Sequence, residues 1–208
     1  GAETSAGVFA SAGQWWAASG VRPGLAVILV GQNPESEIYG RGKVKSCEEV
    51  GIYSEKLTPP ETISTPELLE LLLELNRRDE IDGILVQLPL PPQVDSKQIQ
   101  MAVDPAKDVD GFHSVNVGFL STQRPGLVPC TPAGIMEILK RSKIPVAGQE
   151  TVVVERSDIV GKPTALLPIT TTATVTVCPP TPQTPPPVHP RPPRRAAGTA
   201  PPRYHPPP

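Results

Sequence analysis

The chain has 208 residues and a formal net charge of −2, from 19 Lys and Arg against 21 Asp and Glu. Residues 179–208 hold four arginines and no acid, so the first 178 residues carry 15 basic and 21 acidic side chains, a net charge of −6. An acidic body lacks the basic surface that nucleic-acid binding needs, and no apolar run approaches the roughly 20 residues that span a bilayer. We therefore predict no nucleic-acid partner and no membrane insertion.

The three cysteines do not form a recognisable metal or disulfide framework. Cys47, Cys130 and Cys178 lie far apart, and the sequence contains no Cys-x-x-Cys pair. This spacing argues against a zinc site and against structural disulfides, and it suits a reducing compartment. We predict no metal and a cytoplasmic location.

The first predicted elements are a strand and a glycine-interrupted helix. The run "GLAVILVG", residues 24–31, is apolar and stops at a glycine, which is typical of a buried strand. The segment 36–51 is predicted as a helix that is capped by Ser36 and ended by Gly51.

A second helix and strand follow. The segment "TPELLELLLELNRRD", residues 65–79, has a strong helical period, and a cap at Thr65 is followed by Pro and Glu. The apolar run "DGILVQLPL", residues 82–90, is the next strand and is ended by prolines.

The strand and helix pattern then continues as far as residue 178. A capped helix is predicted over 131–142, and strands are predicted over 151–154 and 172–178. Alternation of strands and helices favours an α/β fold.

The composition changes after residue 178. Residues 179–208 contain 14 of the 29 prolines and almost no large apolar side chain, which predicts a disordered or polyproline-like tail. Its segment "PQTPPPVHPRPP" is also typical of proline-rich docking ligands, so a docking tail and a segment never selected to fold both remain open.

Tyr39 and Lys43 are the first candidate functional residues. They are four residues apart, so on a helix both side chains project from one face. A lysine beside a phenol in a partly dry cleft can exchange protons near neutral pH. The alternative is a surface helix on which Lys43, like Lys45, is merely solvated. A Tyr-x-x-x-Lys pair also occurs in short-chain dehydrogenases, but there it follows the dinucleotide-binding unit.

Two further segments carry polar residues that call for an explanation. Gln87 interrupts an apolar strand, and burying an amide without partners costs roughly 1–3 kcal/mol, so we expect it to face a polar network or a ligand. The segment "KDVDGFH" puts Asp108 and Asp110 in a tight loop ended by glycine. Ordinary turn chemistry is the alternative explanation there.

The strand 151–154 is followed by a turn with the residues of an anion site. Glu155 stands where the strand ends, and Arg156, Ser157 and Gly161 follow it. A guanidinium beside a hydroxyl, with amides at a helix start, suits a phosphate, although no G-x-G-x-x-G is present.

These motifs together resemble a known enzyme family. The segments "VGQNPESEIYGRGKVKSCEEVGI", "DGILVQLPLP", "DPAKDVDGFHSVNVG", "PCTPAGIMEIL" and "RSDIVGKP" occur in this order. They resemble the bifunctional methylenetetrahydrofolate dehydrogenase/methenyltetrahydrofolate cyclohydrolase family, from about Pro23 to Cys178.

The resemblance implies a domain organisation. An N-terminal three-layer α/β domain that binds folate would cover 23–130, and the start of a Rossmann-type NADP-binding domain would cover 131–178. Residues 1–22 are assigned to neither domain, and 179–208 form the proline-rich tail.

The resemblance also implies roles in the folate site. Lys43 would be the catalytic lysine, with Tyr39 stacked beside the substrate and Gln87 bonded to Lys43 to help set its protonation. Asp110 would anchor the pterin ring, and Val86 and Leu88 would contact the substrate beside Gln87. The enzyme would oxidise 5,10-methylenetetrahydrofolate with NADP and hydrolyse the methenyl product to 10-formyltetrahydrofolate in one cleft.

For the cofactor, the resemblance implies contacts from Thr131, Glu155, Arg156 and Ser157. Arg156 and Ser157 match the family's turn, whereas Glu155 stands where the family has glycine. We expect its carboxylate to repel the 2′-phosphate of NADP and the turn to lack a residue with positive φ.

The resemblance ends at Cys178, where Pro179 and Pro180 replace the family's histidine and serine. We therefore expect an incomplete nucleotide domain in this chain. The alternative function is a catalytically impaired folate-domain remnant that acts as a weak ligand- or partner-binding module. By resemblance, the family's enzymes are homodimers.

Overall fold

The computed structural model describes residues 20–31 and 34–178, with side-chain detail for all of these except 34–41. The proline-rich tail 179–208 and residues 1–19 of the N-terminal segment lie outside the described residues, as do the predictions made for them.

The first lobe is built on a three-stranded parallel sheet. Its strands are β1 (Gly24–Ile28), β2 (Tyr53–Leu57) and β3 (Gly83–Val86), in the order β2-β1-β3. In the register, Ala26 of β1 lies opposite Glu55 on one side and Ile84 on the other. The parallel sheet, with helices between its strands, confirms the predicted α/β class.

Four described helices accompany this sheet: α1 (Pro34–Val50), α2 (Thr65–Arg77), α3 (Ser96–Ala102) and α4 (Ser114–Ser121). Helix α1 lies against β2, and α2 packs on α3. Helix α1 ends where Gly51 takes a φ of +78°, as the sequence predicted. It begins before Ser36, so the prediction that Ser36 caps it was wrong.

Helix α2 shows most clearly why a segment of this sequence folds as it does. Ser64 and Glu67 form a capping box: the Ser64 backbone amide donates to the Glu67 carboxylate at 2.8 Å, and the Ser64 hydroxyl accepts from the Glu67 amide at 3.5 Å. The cap is therefore Ser64 and not Thr65. The Thr65 hydroxyl instead accepts from the Asp95 amide at 2.9 Å and so ties α2 to the start of α3.

The core of the first lobe lies between this helix and the sheet. The apolar stripe of α2 is fully buried against alternate residues of β1 and β3, as its helical period predicts. The cluster consists of Ala26, Ile28, Val30, Ile63, Leu68, Leu72, Leu75, Ile81, Ile84, Val86, Val94, Ile99 and Val103.

The second lobe begins with α5 (Cys130–Arg141) and continues with β4 (Glu150–Val153), α6 (Gly161–Thr170) and β5 (Thr174–Val177). Strands β4 and β5 are parallel, with Val153 opposite Val177, and α6 crosses between them. Helix α6 contacts α5 and also α4 of the first lobe. The result is one strand–helix–strand unit of the Rossmann type.

Several predicted boundaries need correction. Helix α5 begins at Cys130 behind Pro129, and no side chain caps it, so Thr131 is not a cap. Strand β3 stops at Val86, so Gln87 lies just beyond the strand. Strand β2 and helices α3 and α4 were not predicted. β2 is a polar edge strand, and the two helices are only seven and eight residues long.

No helix in the described part of the chain combines the length and the apolar character that crossing a membrane requires.

Candidate active site

A cleft of about 230 Å³ opens between the two lobes. The first lobe contributes the end of β3, a lysine of α1 and the loop before α4, whereas the second lobe contributes the start of α5 and the residues before α6. The lining residues are Lys43, Leu85, Val86, Gln87, Leu88, Asp110, Phe112, Pro129, Thr131, Ile159 and Val160. The cleft lies at the carboxyl end of a strand in a parallel sheet, where α/β proteins usually bind their ligands.

Lys43 and Gln87 are in direct contact in this cleft. The Lys43 ammonium donates to Oε1 of Gln87 at 3.2 Å, and Nε2 of Gln87 donates to the carbonyl of Leu88 at 2.9 Å. The Gln87 backbone amide donates to Ile28 at 2.9 Å, which continues the sheet ladder by one residue. The backbone of Gln87 is therefore held by the sheet. Its side-chain amide is oriented by the Leu88 carbonyl, so Oε1 is directed at the Lys43 ammonium.

Asp110 supplies a carboxyl group to the same cleft. Burial raises the pKa of Asp110 from its ordinary value of 3.8 to about 6, and the charge of Lys43 opposes this rise while that of Asp108 adds to it. At neutral pH Asp110 remains largely ionised, and a carboxylate can accept two hydrogen bonds from a ligand. The cleft thus combines one cationic donor with one anionic acceptor.

Asp108 positions the loop that carries Asp110. It is 5% exposed, and its carboxylate accepts from the His113 amide at 2.8 Å and from the Asn116 side chain at 2.9 Å. Gly111 has a φ of +67°, and a Cβ there would lie 2.9 Å from the carbonyl oxygen of Leu127. Asp108 and Gly111 therefore stabilise the turn, whereas Asp110 lines the cleft.

The turn after β4 contains the other set of predicted site residues, Glu155, Arg156 and Ser157. Oε1 of Glu155 accepts from the amides of Arg156 and Ser157 at 2.7 and 2.8 Å, and Oε2 accepts from the Ser157 hydroxyl at 2.6 Å. The Ser157 oxygen in turn accepts from the amides of Val160 and Gly161 at 3.2 and 3.4 Å, at the start of α6. These hydrogen bonds, first of all the one from the Ser157 side chain, hold the pKa of Glu155 below its ordinary value.

The turn does not require the positive φ that the sequence suggested. Among the described residues, the non-glycine positions with positive φ are Gln123, Lys143 and Thr172, and Glu155 is not one of them. Glycine is instead required at Gly161, where a Cβ would lie 2.5 Å from the backbone of Glu155 and Arg156. The expected repulsion between Glu155 and a phosphate stays a prediction.

The predicted residues thus fall into two groups. Val86, Gln87 and Leu88 line the cleft with Lys43 and Asp110, and Thr131 joins them from the second lobe. Glu155, Arg156 and Ser157 form the turn after β4 and do not line this cavity. The side chain of Tyr39 lies outside the described residues.

The sequence reasoning missed five lining residues, of which Leu85 belongs to β3. Phe112 and Pro129 flank the loop and the start of α5, while Ile159 and Val160 come from the segment before α6. Phe112 follows directly on the Asp110–Gly111 pair and could have been inferred from it. The two aliphatic residues carry no chemical signal in the sequence.

Over the described ranges, no group of three or more His, Cys, Asp or Glu is arranged to hold a metal ion.

Comparison with family models places both lobes in one family. Residues 2–110 match the model described as "Tetrahydrofolate dehydrogenase/cyclohydrolase, catalytic domain", and residues 129–185 match the model of the NAD(P)-binding domain of the same enzymes. The first match alone covers more than half of the chain.

Curated relatives agree with these models. The chain is 69% identical over 161 residues to "Bifunctional protein FolD" of Koribacter versatilis, a match that covers 77% of this chain and 52% of the relative. It is 67% identical over 162 residues to the protein of the same name from Solibacter usitatus, covering 78% of this chain and 53% of the relative. The chain therefore spans about half the length of the curated relatives it matches.

Solved structures share the fold. A bifunctional FolD enzyme from Campylobacter jejuni has a TM-score of 0.82 and 41% identity, covering 88% of this chain and 66% of that one. A Trypanosoma brucei FolD complexed with NADP cofactor and inhibitor has a TM-score of 0.79 and 33% identity, covering 85% of this chain and 62% of that one. The chain belongs to the tetrahydrofolate dehydrogenase/cyclohydrolase family.

Proposed function

We propose that the chain carries the folate site of a bifunctional one-carbon enzyme. This enzyme oxidises 5,10-methylenetetrahydrofolate to the methenyl compound with NADP and hydrolyses that product to 10-formyltetrahydrofolate. The observation that carries the proposal is the contact between Lys43 and Gln87 in a cleft that also holds Asp110. Membership of the family supports it further.

Lys43 is the proposed catalytic residue. Its ammonium donates to Gln87 at 3.2 Å and keeps two further N–H groups, so it can donate to a substrate atom without first changing its position. Gln87 is proposed to position Lys43 and to influence its protonation. Tyr39 lies one helical turn before Lys43 on α1, and we propose that it stacks beside the substrate, as the resemblance implies.

Asp110 is the proposed anchor for the pterin ring. The amide-like edge of that ring presents N–H donors, and a carboxylate can accept two of them. Val86 and Leu88 flank Gln87 and supply apolar contact on the same wall of the cleft.

The residues of the second lobe fit a nicotinamide dinucleotide. The parallel unit of β4, α6 and β5 has the topology that binds dinucleotides, and its first turn offers backbone amides, a hydroxyl and a guanidinium. We propose that Thr131, Glu155, Arg156 and Ser157 contact NADP. When bound, the cofactor would accept a hydride from the methylene carbon of the folate.

The hydrolytic half-reaction needs only the cleft and water. Water adds to the methenyl carbon, one carbon–nitrogen bond breaks, and a proton is released with 10-formyltetrahydrofolate. In this proposal Lys43 moves the proton, and Asp110 holds the folate in the cleft. The rival function, a binding module without catalysis, is not favoured because the Lys43–Gln87 contact is already formed.

The domain boundary, the oligomeric state, the partners and the location are part of the same proposal. We place the domain boundary between residues 130 and 131, at the start of α5. We also propose a homodimer, no nucleic-acid partner and a cytoplasmic location, in keeping with the bacterial relatives.

Spectrophotometric assays of both half-reactions on the full 208-residue chain test the function. Methenyltetrahydrofolate should disappear faster than in buffer alone, and methylenetetrahydrofolate with NADP should produce NADPH. If the chain binds no folate and accelerates neither reaction, the proposal is wrong.

A further inference from the structure

Asn116 of α4 and Asp108 form a polar pair inside the first lobe. Among the residues whose side chains the structure describes, they are the two polar ones that are buried. Nδ2 of Asn116 donates to Oδ2 of Asp108 and to the carbonyl of Pro105, each at 2.9 Å, and so uses both of its hydrogens. Burying an amide against a carboxylate costs free energy that an apolar pair would not cost, which is typical of a contact kept for a specific geometry.

The pair holds the chain directly before Asp110. Oδ2 of Asp108 also accepts from the backbone amide of His113 at 2.8 Å, so two donors from α4 and its cap converge on one oxygen. On the other side, the Ile84 amide of β3 donates to the carbonyl of Lys107 at 2.7 Å. The chain is thus attached to the sheet and to α4 two residues before Asp110.

A second asparagine holds the same stretch of chain at its far end. Nδ2 of Asn76, on α2, donates to the carbonyl of Ala102 at 2.7 Å, and its Oδ1 accepts from the Asp104 amide at 2.9 Å. Asn76 therefore makes two side-chain hydrogen bonds, as Asn116 does, but it makes them at an exposed position six residues before Asp110. The two asparagines form a matched pair for experiments.

We propose that Asn116 is a positioning residue for the carboxylate of Asp110. By holding Asp108, it fixes the turn so that Asp110 lines the cleft together with Lys43. Asn116 is not among the lining residues of the cleft and acts through Asp108, so it takes no part in the chemistry itself. This inference rests on the proposed role of Asp110 as the anchor of the folate.

Loss of the Asn116 amide should affect binding more than turnover. Oδ2 of Asp108 would keep one of its two donors, and the turn could relax so that the Asp110 carboxylate moves toward water. A bound folate would have to order the turn again, which weakens its binding. Lys43 and Gln87 are carried by α1 and the end of β3, so their contact should survive the change. A higher KM with a nearly unchanged kcat is the expected signature.

Binding and kinetics on the full chain test this expectation in Asn116→Ala and Asn76→Ala. Dissociation constants are measured for tetrahydrofolate, and KM and kcat for the hydrolysis of methenyltetrahydrofolate. Asn116→Ala should raise the dissociation constant and KM by about tenfold, while kcat changes by less than about threefold. Asn76→Ala also loses two hydrogen bonds and should unfold at a lower urea concentration, yet bind within about twofold of the wild type. Equal weakening in both variants would overturn the inference.

Variants of Asp108 test the same contact from its other side, and they decide the matter if Asn116→Ala does not fold. Asp108→Asn keeps an acceptor oxygen for both donors, whereas Asp108→Ala leaves the donors unpaired. Asp108→Asn should therefore bind tetrahydrofolate at least about fivefold more tightly than Asp108→Ala. Adding Asn116→Ala to Asp108→Ala should weaken binding no further, because both act through one contact. Equal binding by the two Asp108 variants, or additive losses in the double variant, would contradict the inference.

An NMR titration of the Asp110 carboxyl carbon, without any folate, separates this inference from the proposed function. The charged groups around Asp110 are Lys43 of α1 and Asp108 of its own loop, and the residues that β3, α5 and the segment before α6 contribute to the cleft carry no charge. Burial raises the pKa of Asp110 to about 6. In Asn116→Ala this pKa should fall to about 5 or lower as the group becomes exposed, and in Asn76→Ala it should stay.

The two parts of the account can then fail independently. A lower pKa of Asp110 in Asn116→Ala, with no folate bound by any variant, would support the positioning role and refute only the proposed function. An unchanged pKa of Asp110 in Asn116→Ala would overturn the positioning role, even if the wild type binds folate and turns it over.

Discussion

At Asp110, burial and neighbouring charges act on a single carboxyl group in opposite directions. Burial and Asp108 favour the neutral acid, while Lys43 favours the carboxylate, and the net result raises the pKa of Asp110 to about 6. A group placed in this way costs stability when it is ionised, which is typical of a residue held for function.

This balance predicts a pH dependence of folding. Because the folded-state pKa of Asp110 is raised from 3.8 to about 6, its contribution to stability is fully present below pH 3.8 and is lost as the pH rises through about 6. The shift sets an upper limit of about 3 kcal/mol on the free energy of unfolding that is lost when Asp110 ionises. Asp110→Asn should therefore be more stable than the wild type at pH 7, and the difference should shrink toward pH 4.

Urea unfolding of both proteins between pH 4 and pH 8 measures this difference. Asp79→Asn, at an exposed aspartate after α2, serves as the control and should follow the wild type. A difference between Asp110→Asn and wild type that stayed constant over this pH range would contradict the account of Asp110.

At the scale of elements, α2 holds the first lobe together. Its capping box fixes the start of the helix, and Leu68, Leu72 and Leu75 bury its apolar stripe against the sheet. The carboxyl end of this sheet carries Gln87, so the packing of α2 supports the geometry of the cleft.

Two neighbouring leucines of α2 provide a matched comparison. Leu72 is fully buried and Leu73 is 47% exposed. Leu72→Ala should lower the free energy of unfolding by about 2–5 kcal/mol, because it removes buried methyl groups and leaves a cavity. Leu73→Ala should lower it by less than about 1 kcal/mol. Chemical denaturation of the two variants checks this, and equal losses would mean that α2 does not pack as described.

The elements also show how far sequence patterns reach. Apolar runs and a clear helical period predicted β1, α2 and β3, because burial on a core leaves a periodic trace. β2 is an edge strand with the polar sequence "YSEKL", and its pairing with β1 depends on backbone hydrogen bonds that leave no such trace. The cap at Ser64 was missed by one residue, because Ser and Thr at adjacent positions are both suitable caps.

For the whole molecule, the arrangement of the two lobes makes the site. Lys43, Gln87 and Asp110 come from the first lobe, whereas Thr131, Ile159 and Val160 come from the second. Contact between α4 and α6 joins the lobes. Motifs far apart in the sequence therefore meet at one cleft, as the proposed site for folate and dinucleotide requires.

The sequence identified the polar members of this site but not its apolar walls. Gln87 was noticeable because an amide interrupts an apolar run, and its partner in the structure is Lys43. In the sequence, Ile159 and Val160 look like ordinary core residues. They line the cleft because the second lobe, which carries them, lies against the first. Glu155 in place of glycine was expected to deny the turn a residue with positive φ, but Glu155 does not take a positive φ, and its carboxylate accepts hydrogen bonds that stabilise the turn.

The central claim, that Lys43 carries the chemistry of the cleft, is tested most directly by the rate of methenyltetrahydrofolate hydrolysis in two lysine variants. Lys43→Met removes the ammonium held by Gln87, while Lys45→Met removes an exposed ammonium two residues on, paired only loosely with Glu49 at 3.9 Å. Lys43→Met should lower the rate by about 100-fold or more while the folate still binds, and Lys45→Met should keep the wild-type rate. A full rate in Lys43→Met, or an equal loss in both variants, would contradict the account.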